Sequence, residues 1–187
     1  MSRLVLYLGG MAGDLVVSCL NPEQMDSIEQ LVTLKPEYSR LKKFWQLSDI
    51  EKELYINSFD DHIFLSSHDT GLSLTHRDKT IRLYCSDFNT LVKLSLRFRA
   101  LNNGSVIQRL CQQNNLNINN FDEEYANMCR DWNDSFNFPC CFDISNIVND
   151  RFIDDLKTFC QKHNFKLNNN VDKLHQIWME KNENFIR

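Results

Sequence analysis

A single three-layer α/β domain with a mostly parallel sheet is the fold class this chain predicts, and three observations predict it. The apolar run at residues 3–8 (RLVLYL) breaks at once into Gly9-Gly10-Met11-Ala12-Gly13-Asp14 and is followed by a second apolar stretch, residues 15–20. A strand, a glycine turn and a helix start in that order make the first βα unit of a parallel sheet, with the turn over the helix N-terminus. Residues 62–67 (HIFLSS), 80–85 (TIRLYC) and 138–144 (FPCCFDI) are three further short apolar runs separated by helical patterns. Such runs read as buried parallel strands rather than hairpins. Finally, 187 residues with 42% apolar content and no Pro/Gly/Ser linker are enough for one core, so residues 1–187 form one domain.

The elements follow in order. Pro22 suits the start of a helix after the first unit, and Ser48-Asp49-Ile50-Glu51 is a capping box opening a helix through about Asn57. After the third strand, Leu91, Leu94, Phe98 and Leu101 recur at helical spacing, as do Phe121, Tyr125, Met128 and Trp132. Two more amphipathic stretches end the chain: Phe152, Ile153, Leu156, Phe159 and Cys160, then Val171, Leu174, Ile177 and Trp178. A parallel sheet of four or five strands with right-handed crossovers should therefore carry helices on both faces.

Composition excludes several function classes. A formal charge of −4 offers no general attraction to nucleic acid or anionic lipid. No apolar run approaches the ~20 residues needed to cross a bilayer. Seven cysteines without CxxC spacing, and no secretory segment before them, predict reduced thiols in a cytoplasmic protein with no metal. Cys140 and Cys141 should point to opposite faces of one strand as packed thiols. The five histidines show no metal-ligand spacing. Asparagine clusters at 102–103, 114–120 and 168–170 suit turns and helix ends, and their abundance hints at an AT-rich source.

The residues that carry chemistry lie at strand ends. They are the turn Gly9 to Asp14, the strand end Ser66-Ser67-His68-Asp69, the junction Tyr84-Cys85-Ser86-Asp87-Phe88-Asn89-Thr90-Leu91-Val92, and Phe142-Asp143-Ile144 before a helix. In order and spacing this set resembles the sulfotransferase branch of the P-loop proteins, and more loosely small sulfotransferase-like proteins encoded by bacteriophages. The family reads a K-S-G-T-T phosphosulfate loop, a strand ending T-H, an R-D-P-x-D junction with a helical Ser, and a Y-E-D-L segment. The resemblance implies a sulfotransferase-like P-loop fold and sulfuryl transfer from 3'-phosphoadenosine 5'-phosphosulfate to a hydroxyl or amine.

Carried over residue by residue, the resemblance makes Gly9, Gly10, Met11, Ala12, Gly13 and Asp14 the loop for the donor's 5' phosphate. Met11 replaces its Lys, Ala12 its Ser and Asp14 its first Thr, while Gly13 is kept. Asp14 suits the helix dipole but opposes a dianionic phosphate, and the alternative is that it simply caps the helix. His68 stands where the family has the general base, work suited to an imidazole, and its alternative is a polar rim residue. Ser86 replaces the Arg of the 3'-phosphate site, and Ser95 lies one position past the expected helical Ser, which falls on Leu94. Arg97 and Arg99, two apart on a helix, cannot share a face and read as solvated. Asp143 fills the acidic slot, where a structural hydrogen bond competes with function.

Three function classes remain open at the level of sequence. First is a divergent, non-catalytic interaction or structural component with an unidentified protein partner, no cofactor, and a place in the host cytoplasm or virion if phage-encoded. Second is an active sulfotransferase with a phosphosulfate nucleotide donor. Third is a nucleotide-binding regulatory module. The absent Lys, Thr and Arg weigh against the second, because a polyphosphate donor needs positive charge at the transferring group.

Overall fold

A computed structural model describes residues 3–21, 48–57, 63–68, 70–135 and 137–186. Its element order is β1 (Arg3–Leu6), α1 (Gly13–Leu20), α2 (Asp49–Asn57), β2 (Phe64–Ser67), α3 (Thr70–Thr75), a 3-10 turn (Arg77–Lys79), β3 (Thr80–Tyr84), α4 (Phe88–Leu101), α5 (Gly104–Asn114), a second 3-10 turn (Ile118–Asn120), α6 (Phe121–Asp134), β4 (Cys140–Asp143), α7 (Arg151–His163) and α8 (Val171–Ile186). The expected helix start at Pro22, and Asp69, lie outside the described residues.

The four strands form one sheet in the order β2-β1-β3-β4, and every pairing is parallel. The register sets Leu4 opposite Leu65 and Thr80, and Tyr84 opposite Asp143. Each strand is shorter than its apolar run. β1 stops at Leu6, because residues 7 and 8 already lead into the glycine turn, and β4 begins only at Cys140, after Pro139. Proline has no N–H to give to a ladder.

Strand alternation divides the core. Val5, Tyr7, Phe64, Ile81, Leu83 and Phe142 face a large apolar cluster filled by α1, α4, α6, α7 and α8. Leu4 and Leu65, one residue out of phase, meet Ile56 of α2 and Leu72 of α3 in a separate small cluster. Both sheet faces are thus covered by helices, which makes the three layers that period-2 burial on both sides requires. The second face adds hydroxyl contacts: Thr80 donates to the Ser73 carbonyl at 3.1 Å, and the Ser67 and Ser73 hydroxyls lie 3.3 Å apart.

Local chemistry starts the helices. The Ser48 backbone N–H donates to Glu51 Oε2 at 2.8 Å and the Glu51 N–H returns to Ser48 Oγ at 3.4 Å, a reciprocal capping box. Asp87 accepts from the Thr90 N–H at 2.8 Å to open α4, and Asn103 accepts from the Val106 N–H at 3.0 Å to open α5. Asn115 and Asn164, with φ of 54° and 55°, close α5 and α7 in the left-handed conformation. Among the described residues no helix is long and apolar enough to cross a membrane.

Candidate functional site

The chain leaves β1 for β2 on one side and continues from β3 to β4 on the other. The C-terminal ends of β1 and β3 therefore flank a topological switch point, where open α/β sheets place their ligands. The glycine turn follows β1 there, Ser86 and Asp87 follow β3, and His68 follows β2 one strand further out.

The turn is built by aromatic side chains. The Met11 N–H donates to the Leu8 carbonyl at 3.2 Å, closing the chain over Gly9 and Gly10. Gly10 has φ of 85°, and a Cβ there would meet Phe98 Cβ at 2.8 Å, so both conformation and space call for glycine. Phe98 of α4 stacks on Tyr125 of α6 with centroids 5.2 Å apart, and the Tyr125 hydroxyl donates to the Gly9 carbonyl at 2.5 Å. Burial raises the Tyr125 phenol above its ordinary pKa, which keeps that donor proton in place.

Tyr7 holds the other side. Its ring lies where a Cβ on Gly13 would fall, 2.2 Å from Tyr7 Cδ1. Its hydroxyl donates to Asp14 Oδ1 at 2.5 Å; that spends its one proton, so Ser66 Oγ, also at 2.5 Å, donates to the phenol oxygen. Burial first, then the Asp14 carboxylate, pushes the Tyr7 phenol well above its ordinary value. His68 Nδ1 lies 2.8 Å from the Tyr7 carbonyl, and the rings meet edge to face at 4.5 Å. A carbonyl only accepts, so Nδ1 carries the proton and Nε2 is the basic nitrogen of an exposed imidazole.

Asp14 is not the cap of α1. The N-cap is Ala12, in the left-handed region at φ 51° with no side-chain cap bond, and Asp14 stands in the first turn bonded to Tyr7. Met11, at the position of the family's Lys, is 1% exposed in the core. Arg97 is not solvated either. Its Nε donates to Asn182 Oδ1 at 2.5 Å and its guanidinium lies 5.3 Å from the Trp178 ring centroid. Burial lowers its pKa, against the opposing field of Asp14. Arg99 pairs with Asp122 at 2.7 Å.

A second network closes the ends of β3 and β4. Ser86 Oγ donates to Asp143 Oδ2 at 2.5 Å, and Ser145 donates to Asp143 Oδ1 through both N–H (2.9 Å) and Oγ (2.6 Å). Ser145 Oγ in turn accepts the N–H groups of Ser86 at 2.8 Å and Asp87 at 2.9 Å. Every donor of Ser86 is thereby spent on Asp143 and Ser145, and Asp143 serves as the structural acceptor that clamps two loops. Ser95 is buried in α4 with its hydroxyl on the Leu91 carbonyl at 2.9 Å.

No family model matches this chain, and no curated protein and no solved structure is significantly similar to it. The site is therefore read from its own geometry. The fold brings Gly13, Asp14 and His68 together around Tyr7, sets Gly9 and Gly10 against Phe98 and Tyr125, and ties Ser86 to a different cluster about two strand spacings, or ~10 Å, from the β2 end. Sequence reasoning missed Tyr7, Phe98 and Tyr125. The available signal was the phenol just past the end of β1 and in phase with its core-facing residues, a buried hydroxyl that must find partners. All seven cysteines are free thiols, and the described residues contain no group of three or more potential metal ligands.

Proposed function

We propose that this chain is a divergent sulfotransferase-like α/β protein that works by contact with a protein partner rather than by sulfuryl transfer. The resemblance to small phage-encoded members further suggests a component acting in the host cytoplasm or the virion. The observation that carries the reading is the filling of the first turn by the chain's own side chains. Tyr7 lies against Gly13, Phe98 lies against Gly10, and Tyr125 takes the Gly9 carbonyl. Met11 and Asp14 put a buried thioether and a carboxylate where a phosphosulfate needs a cation and a hydroxyl.

One observation favours a second reading, an active transferase. His68 has its tautomer fixed by the Tyr7 carbonyl, which leaves a basic, exposed imidazole at the C-terminal sheet edge, ready to accept a proton from an acceptor hydroxyl. Titration with adenosine 3',5'-bisphosphate, followed by calorimetry and by the amide resonances of Gly9, Gly10 and Gly13, separates the two. The contact-protein reading expects no heat at millimolar ligand and unmoved resonances. Saturable micromolar binding that shifts those amides would overturn it, and turnover that falls ~100-fold in His68→Ala would then establish the enzyme.

A further inference from the structure

Helix α6 has two working faces. One carries Phe121, Tyr125, Ala126 and Cys129 into the core. On the other, Glu124, then Met128 four residues on, then Asp131 and Trp132 three and four beyond that, line an open groove of about 450 Å³ together with Leu116 just past α5. From position 124 to 135 the groove follows α6 for ~16 Å, three helical turns.

Its apolar surface comes from Leu116, Met128 and Trp132, all half-buried, with the polar side chains of Asn114, Asn127 and Ser135 beside them. Its rim is acidic. Glu124 and Asp131 are the carboxylates among its lining residues, and the neighbouring Arg130 guanidinium is drawn over the Phe88 ring at 5.3 Å. Asp131 is 76% exposed, and its Oδ1 lies a distant 3.9 Å from Arg130 Nε. Glu124 sits at the other end, accepting from the Asn117 N–H. This charge excludes nucleic acid and anionic lipid, and a single aromatic ring does not make the cage that a quaternary ammonium requires.

We propose that the groove docks a basic amphipathic helix of a protein partner, with Leu-like side chains at i, i+3 or i+4 against Met128 and Trp132 and Lys or Arg flanking them toward Glu124 and Asp131. The proposal rests on the contact-protein reading and names the partner chemistry for it. An indole beside an apolar surface is the residue type that anchors such interfaces, and the carboxylates at the two ends set the register of the basic flanks.

The test uses the full chain and a synthetic helical peptide with Leu at i, i+3, i+4 and i+7 and Lys elsewhere, beside the same peptide with Glu for Lys. Calorimetry should give micromolar binding for the Lys peptide, weakening as salt rises, and none for the Glu peptide. Trp132→Ala should weaken it tenfold or more. Asp131→Lys, an exposed change that leaves the core untouched, should weaken it severalfold and flatten the salt dependence. No saturable binding at millimolar peptide, equal binding of the Glu peptide, or binding indifferent to Asp131→Lys would overturn the proposal. So would a Trp132-dependent dimer in sedimentation, which would assign the groove to a second copy of the chain. The bisphosphate titration judges the contact-protein reading separately: a chain that ignores both nucleotide and peptide keeps that reading and loses the groove.

Discussion

Gly13→Ala should destabilise the protein, although Gly13 is the first residue of a helix with no positive φ. At an open helical position the change would stabilise by up to ~1 kcal/mol, because alanine loses less backbone entropy. Here the new methyl falls 2.2 Å from Tyr7 Cδ1 and 2.3 Å from Cε1 and Cγ. Those are ring atoms of a side chain tethered at its far end to Asp14 and Ser66, so the ring cannot swing away without breaking two hydrogen bonds. Overpacking costs ~1–3 kcal/mol, and loss of a hydrogen bond to a charged group a further ~1.5–3 kcal/mol. A net fall of about 3 kcal/mol is expected, or a drop of ~6–12 °C in Tm for a chain of this size. Denaturant unfolding of the wild type, Gly13→Ala, Tyr7→Ala and the double variant forms the complete cycle. Because the clash vanishes with the ring, the double variant should be less destabilised than the sum of the singles by ~1 kcal/mol or more. Additive losses, or a stabilising Gly13→Ala, would refute the account of how this turn is filled.

The α4 cap gives a pH prediction. The Thr90 side chain first, and then the Thr90 N–H bonded to the Asp87 carboxylate, hold the Asp87 pKa below the usual carboxylate value, so this stabilisation is present above the unfolded pKa and is lost as pH falls through the folded one. Asp87→Ala should cost ~1 kcal/mol near neutrality and nearly nothing in acid, read from urea unfolding across that range. Thiol labelling of the native protein should modify Cys140 and Cys141 first, since the other five are buried, and should reach all seven only on unfolding. Burial lifts Cys140 to about 11, so its labelling rate should still be rising above pH 9; a plateau near neutrality would contradict that environment.

The parallel architecture was legible because it rests on local signals: short apolar runs, a glycine turn and strong helical periods. α5 was not, since only Ile107 and Cys111 of its eleven residues are buried and its apolar stripe is too thin to count. α3 is a six-residue connector whose Leu72 and Ser73 face the small second cluster, and so short a segment carries no period. The site was legible as a place and not as a mechanism of assembly. Asp14 has the residue type of a cap, yet Ala12 takes the cap because tertiary contacts from Tyr7 and Phe98 dictate the backbone of the turn. Arg97 looked solvated by its spacing from Arg99, but a half-buried guanidinium stacked on Trp178 depends on where α8 packs, which no window of the α4 sequence contains. The Tyr7–Ser66 bond likewise depends on the β1–β2 register, in which Val5 pairs with Ser66, and Tyr7, just past β1 and in phase with Val5, bonds its hydroxyl.

The charge arrangement around Asp14 limits what can enter the turn. Two like unit charges ~4 Å apart repel by about 4 kcal/mol at the effective dielectric of a protein surface, and a dianionic phosphate would meet roughly twice that from Asp14. Arg97 is a cation that Asp14 interacts with, but it is half-buried, its Nε is committed to Asn182, and its face is committed to Trp178. Moving it toward a phosphate would strip those contacts and leave Asn182, itself 4% exposed, with an unpaired amide oxygen. Each route to an anion at this turn undoes part of the packing that defines it. Binding to a protein partner at the groove along α6 asks for none of those changes.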